Sequence, residues 1–149
     1  MMIGLATGKK GSTRMNAARK SIVVRAPVAK VYERWLKGED FPKFITAIQT
    51  SRRLDPNHFA LSVSVDGQKH DAVLEFTLRI PERRLAWRSL GARFAAGVVS
   101  FTPCADQCTL IGLTMMSTAG GTVSERVGQY LENFKELIES ELGLEKPAV

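Results

Sequence analysis

Few residues in this chain could do chemistry: two histidines, two cysteines, a few serines and threonines, and a tyrosine in a long C-terminal helix. His58 opens a strand and His70 follows an Asp66-Gly67 turn, so both read as wet edges of a sheet, and their spacing fits no metal motif. Cys104 and Cys108 flank Ala-Asp-Gln at a hairpin tip. A disulfide could close there, but C-x-x-x-C is neither a zinc nor a thioredoxin spacing, and two reduced thiols are the expectation. Ser89, Thr114 and Ser117 have no base or acid that the sequence sets beside them. Gly120-Gly121 precedes the last helix, yet Glu125 stands where a phosphate site would need a cation, and no dinucleotide or P-loop fingerprint occurs. Glu75 and Arg79 share the polar face of a strand on strict alternation; a solvated pair of that kind contributes about 0–1 kcal/mol. Arg83, Arg84, Arg88 and Arg93 gather at one end of the sheet. They read either as a solvated basic edge or as an anion contact near a pocket mouth, and the absence of interleaved exposed aromatics favours the first. Tyr130 is the sole catalytic candidate, and an ordinary phenol pKa of about 10 suits it to donating a proton rather than taking one.

The bulk composition narrows the classes. At 149 residues the chain fits one domain able to bury a core without staples. Hydrophobic content of 44% and charged content of 24% are those of a globular protein. No apolar run approaches the ~18–20 residues of a membrane span, and the start lacks the apolar stretch of a secretory signal, so the expectation is a cytoplasmic protein. The net charge of +6 comes in part from Lys9, Lys10 and Arg14, in a Gly/Ser/Thr-rich leader without an acid. Residues 1–19 are therefore expected to be a basic, disordered leader, 20–145 the domain and 146–149 a tail. The remaining charge gives no footprint for nucleic acid.

The elements that must position these residues follow from periodicity. "SIVVRA" (21–26) alternates as a strand, and Pro27 starts a helix carrying Val28, Val31, Tyr32 and Trp35 at i, i+3, i+4 and i+7. Gly38 ends it, and a second short helix offers Phe41, Phe44, Ile45 and Ile48. The period then falls from 3.6 to 2. Phe59, Leu61, Val63 and Val65 share one face of a strand; Ala72, Leu74, Phe76, Leu78 and Ile80 share one face of the next. Leu85 and Trp87, then "AAGVVSFTP" and "CTLIGLTMMS", continue an antiparallel meander. The chain closes with a helix marked by a Thr122/Glu125 capping box, an apolar stripe from Val123 to Ile138 and a Gly143 stop. Gly128 lies inside that helix at a cost of about 1 kcal/mol relative to Ala, which suggests a close approach there. The expected order is one strand, two short helices, six strands and one long helix.

In that order the chain resembles the polyketide cyclase/dehydrase branch of the START-like (Bet v 1-like, SRPBCC) superfamily. The resemblance is carried by "SIVVRAPVAKVYERWLKGEDFPKFI", "PERRLAWRS", "GVVSFTP" and "SERVGQYLENFKELIESEL", and spans residues 20–143. It implies an α+β helix-grip fold: a curved seven-stranded antiparallel sheet around the long C-terminal helix, with two short helices after strand 1 and an elongated apolar cavity between sheet and helix. The aromatics of the short helices then become either the cavity's lid or ordinary core. Many relatives carry Trp at Phe59 and near Ala72; an alanine at 72 would enlarge or reshape the pocket.

Cavity candidates on this reading are Trp35, Phe44, Leu61, Leu74, Phe76, Trp87, Phe101, Val127, Tyr130, Leu131 and Phe134, with Tyr130, Ser89 and Thr114 as polar exceptions. An apolar hollow with few polar groups suits a hydrophobic small molecule or lipid. The expectation is a binder needing no cofactor or metal. A polyketide aromatase/cyclase is the first alternative, and a surface-acting partner or stress protein with a filled core the second.

Overall fold

Inward-facing apolar positions along the strands, and one apolar stripe on a long helix, are buried together when the helix lies across the concave face of the sheet. The computed structural model describes residues 16–65, 67–91, 95–117 and 123–144. The elements are β1 (Asn16–Val24), α1 (Val28–Leu36), a 3-10 turn (Gly38–Lys43), β2 (Ile48–Asp55), β3 (His58–Val65), β4 (Gln68–Ile80), β5 (Arg84–Gly91), β6 (Ala95–Cys104), β7 (Cys108–Ser117) and α2 (Val123–Glu141). The strands form one curved antiparallel sheet in the order β1-β7-β6-β5-β4-β3-β2. α2 packs against β1, β7 and the 3-10 turn.

β1 begins at Asn16, which pairs with Ser117, so four residues assigned to the leader belong to the sheet. Residues 1–15 and 145–149, Gly120-Gly121 and Thr122 of the expected capping box lie outside the described residues. The second short helix is a 3-10 turn with Pro42 inside it. β2 carries no readable alternation, because only Ile48 of its eight residues is buried at the sheet edge. At the far end, the Leu144 N–H bonds the Glu139 carbonyl and the Gly143 N–H that of Ser140. With Gly143 at φ +76°, this is the αL stop that the glycine announces.

Strict alternation fails in β4. A register shift between Phe76 and Leu78 sets Leu78 opposite Ala86 and Arg79 opposite the buried Leu85. Leu78 and Ile80 therefore turn outward, at 38% and 40% exposure, instead of joining the core. The same bulge puts Glu75 and Arg79 on opposite faces, and they do not pair. Glu75 accepts from Arg88 Nε at 2.8 Å and faces His58 Nε2 at 3.2 Å, while Arg79 donates to Asn57 Oδ1 at 2.8 Å.

The β6–β7 hairpin tip also differs from expectation. Cys104 and Cys108 form its terminal cross-strand pair, with Cα atoms 5.1 Å apart, and they are joined by a disulfide. The three-residue tip, with Asp106 and Gln107 at positive φ, brings the two β-carbons face to face, which spacing rules for metal or redox motifs do not address.

α2 is anchored near its C-terminus by a buried acid. Glu139, 5% exposed, accepts from the Arg25 backbone N–H at 2.9 Å, Arg25 Nη2 at 2.8 Å and Lys135 Nζ at 3.0 Å. These donors outweigh burial, which alone would raise its pKa, and hold the carboxyl at about 2. The helix is thereby tied to the turn after β1.

Candidate functional site

The bulky aromatics of the short helical segments do not wall a cavity. Trp35, Phe44 and Phe134 are fully buried, with ring centroids 4.7–5.0 Å apart in each pairing. Phe41, Phe59 and Phe76 extend this cluster. Gly38 belongs to it too: a Cβ there would lie 2.6 Å from the Phe59 ring, so the glycine admits the ring as well as ending α1. The space between sheet and helix is solid at this end.

It is not solid at the other. A cavity of about 170 Å³ lies between β3–β7, the segment Ile45–Ile48 after the 3-10 turn, and the N-terminal half of α2. Its apolar wall includes Ile45, Leu61, Leu74, Trp87, Met115 and Val127. Polar or small residues complete it: Ala47, then Ser64, Ala72, Ser89, Ala95 and Ser117 from strands, His70 and Asp71 from β4, and Arg126 and Tyr130 from α2. Cross-strand pairing explains the void. Leu61 faces Ala72, Leu74 faces Ser89, and Ala95 faces Ser117, so each row sets a small side chain where a core would set a large one. Trp87 lies over Gly97, whose missing side chain makes room for the indole; a Cβ there would collide with the ring.

Five of the sequence-derived cavity candidates line this space: Leu61, Leu74, Trp87, Val127 and Tyr130. The other six, Trp35, Phe44, Phe76, Phe101, Leu131 and Phe134, sit in the packed core. Thr114 is on the outer face, where its hydroxyl accepts from Arg19 Nη1 at 3.2 Å. His70 lines the cavity instead of lying on a wet edge, because it pairs with Val63 on the concave face. Ala47, Ala95, Met115, Ser117 and Arg126 were missed; the signal that could have found them is the coincidence of small inward residues at one end of several strands.

Tyr130 is 4% exposed. Burial pushes its phenol above the ordinary value, opposed by the nearby Arg126 charge and by a backbone hydrogen bond from Ala47. A hydrogen bond that lowers a phenol's pKa is one donated to its oxygen, so the Ala47 amide is the group that Tyr130 meets. A phenol held protonated in this way is a donor, not a base. His58 lies on the opposite face between Asp55 at 2.9 Å and Glu75, and the hydrogen bond to Asp55 raises its pKa. Among the described residues no cluster of three or more His, Cys, Asp or Glu could hold a metal, and no helix is long and apolar enough to cross a membrane.

A curved sheet gripping a long terminal helix, with a hollow between them, defines a helix-grip protein of the Bet v 1/START type. The chain belongs to the polyketide cyclase/dehydrase and lipid transport family, which it matches over residues 24–128. It is 33% identical over 139 residues to a 17.2 kDa protein of the melC2–rnhH intergenic region of Streptomyces lincolnensis, covering 84% of this chain and 91% of that one. Among solved structures, a Deinococcus radiodurans protein superposes with a TM-score of 0.71 at 24% identity, covering 87% of this chain and all of that one. The Zhui aromatase/cyclase from Streptomyces sp. R1128 does so at 0.61 and 16% identity, over 87% of this chain and 86% of its own. A START superfamily protein from Mycobacterium smegmatis gives 0.65 at 16% identity, over 85% and 97%.

Proposed function

We propose that the protein binds a hydrophobic small molecule in the cavity between sheet and α2, as a carrier or sensor and not as an enzyme. The observation that carries this reading is the cavity itself, about 170 Å³ with mostly apolar walls beside an otherwise solid aromatic core. An apolar cavity of about 150 Å³ is enough to take a benzene ring. Interiors are ordinarily close-packed, and an unfilled hollow lowers stability, so a void of this size calls for an occupant. The cyclase alternative would need a proton acceptor held against the substrate; burial pushes Tyr130 away from that role, which leaves His70, half-buried in the cavity wall, as the residue that could take it.

Propylbenzene is a suitable probe, because Trp87 lines the cavity and its emission reports a guest, while Trp35 lies in the core. At about 0.6 kcal/mol per heavy atom, within the range for small ligands, nine atoms give a Kd on the order of 0.1 mM. The expected result is a saturable change in tryptophan emission with a rise in Tm. No change in either up to the solubility limit, together with no small molecule retained in native mass spectra, would overturn the reading.

A further inference from the structure

We propose that the cavity is built for an amphipathic guest: an aromatic or short aliphatic body in the apolar end, and a carboxylate at Tyr130 and Arg126. This rests on the binding function above and goes further by naming the polar end of the ligand.

The phenol of Tyr130 is buried against the cavity. Its oxygen accepts from the Ala47 amide, yet among the described residues nothing accepts its own hydrogen. A buried donor without an acceptor is costly, and the cavity is the space left for a partner. Arg126 stands one helical turn before Tyr130, lines the same cavity, and places its positive charge close enough to act on the phenol. Arg126 lies in the first turn of α2, where the helix adds partial positive charge. Asp71 touches the cavity wall, but it is exposed and pairs with Ser62 on the strand, where water screens its charge, and Glu125 is exposed. The half-buried His70 and Ser117 contribute polar edges to the same cavity. A neutral hydrocarbon would use none of these groups. A carboxylate would accept from the phenol and sit in the field of the guanidinium, while its ring lies against Trp87, Leu74 and Leu61.

Three probes of one shape separate the possibilities: 3-phenylpropionate, 3-phenylpropanamide and propylbenzene, titrated against the full chain at pH 7 by calorimetry. The carboxylate is expected to bind about tenfold more tightly than the amide, the effect of one charge-assisted hydrogen bond. Tyr130→Phe and, separately, Arg126→Gln should each remove most of that preference, read as the ratio of carboxylate to amide affinity within each variant. If propylbenzene binds but the carboxylate binds no better than the amide, or if both variants keep the preference, the polar-end assignment fails and the hydrophobic site stands. If none of the three binds, the binding function fails and takes this inference with it.

Discussion

Replacing Ala72 by Leu should make the protein more stable and its cavity less able to take a guest. Ala72 lies on the concave face of β4 opposite Leu61, and both line the cavity. Leucine adds three carbons that the cavity can receive. At about 0.8 kcal/mol per buried carbon the gross gain is about 2.4 kcal/mol. Fixing the longer side chain costs about 0.5–1 kcal/mol, leaving about 1.5 kcal/mol. For a chain of this size that raises Tm by about 3–6 °C. Propylbenzene affinity should fall at least about tenfold, since the leucine takes space the ring needs. The assays are a melting curve and a titration on the same sample. The opposed signs are diagnostic: ordinary core substitutions that overpack lower stability by about 1–3 kcal/mol. A lower melting temperature would mean that the hollow has no room for three carbons. Unchanged ligand affinity would mean that the guest sits elsewhere. Either result refutes the reasoning.

Two further predictions concern α2. Glu139→Gln should cost about 3 kcal/mol at pH 7, from a carboxyl pKa lowered from 4.5 to about 2. Because that pKa is depressed by folding, the contribution is complete above about pH 5 and vanishes as pH falls toward 2; urea unfolding of both proteins across this window should show their stabilities converging, and a constant gap would contradict the electrostatic assignment. Gly128→Ala should gain about 1 kcal/mol, since a Cβ there meets nothing within 4 Å and the close approach expected from sequence is absent. The melting temperature should rise by about 2–4 °C, and a fall would reveal crowding on that face of the helix.

The fold was legible because its information is local and periodic: period 2 in the strands, period 3.6 in α2, and turn residues between them. The exceptions have physical causes. β2 is counted in the expected order but not located, because an edge strand with only Ile48 buried has no apolar face to alternate. Leu78 and Ile80 were misassigned because a bulge inverts the faces of a strand without marking the sequence. The disulfide depends on how a three-residue tip curls, which composition does not encode. Leu61, Leu74 and Trp87 are found in the cavity wall because they are large, apolar and inward; so are Trp35, Phe44 and Phe134, which fill space instead of enclosing it.

A search for bulky residues locates a core, and a cavity is a place where such residues are missing. Ala72, Ser89, Ala95 and Ser117 occupy inward positions on four neighbouring strands, beside the Trp35–Phe44–Phe134 cluster, which meets the cavity wall through Trp87, 6.4 Å from Trp35. One alanine among leucines would be closed by its neighbours at small cost. Several small residues on adjacent rows leave a gap wider than side chains can span without moving the backbone, and the aromatic cluster holds that backbone in place. The chain thus spends its large residues on rigidity at one end so that small ones can keep space at the other. On that reasoning the plug and the hollow form one device, and a variant that loosens the Trp35 cluster should weaken ligand binding without touching a single lining residue.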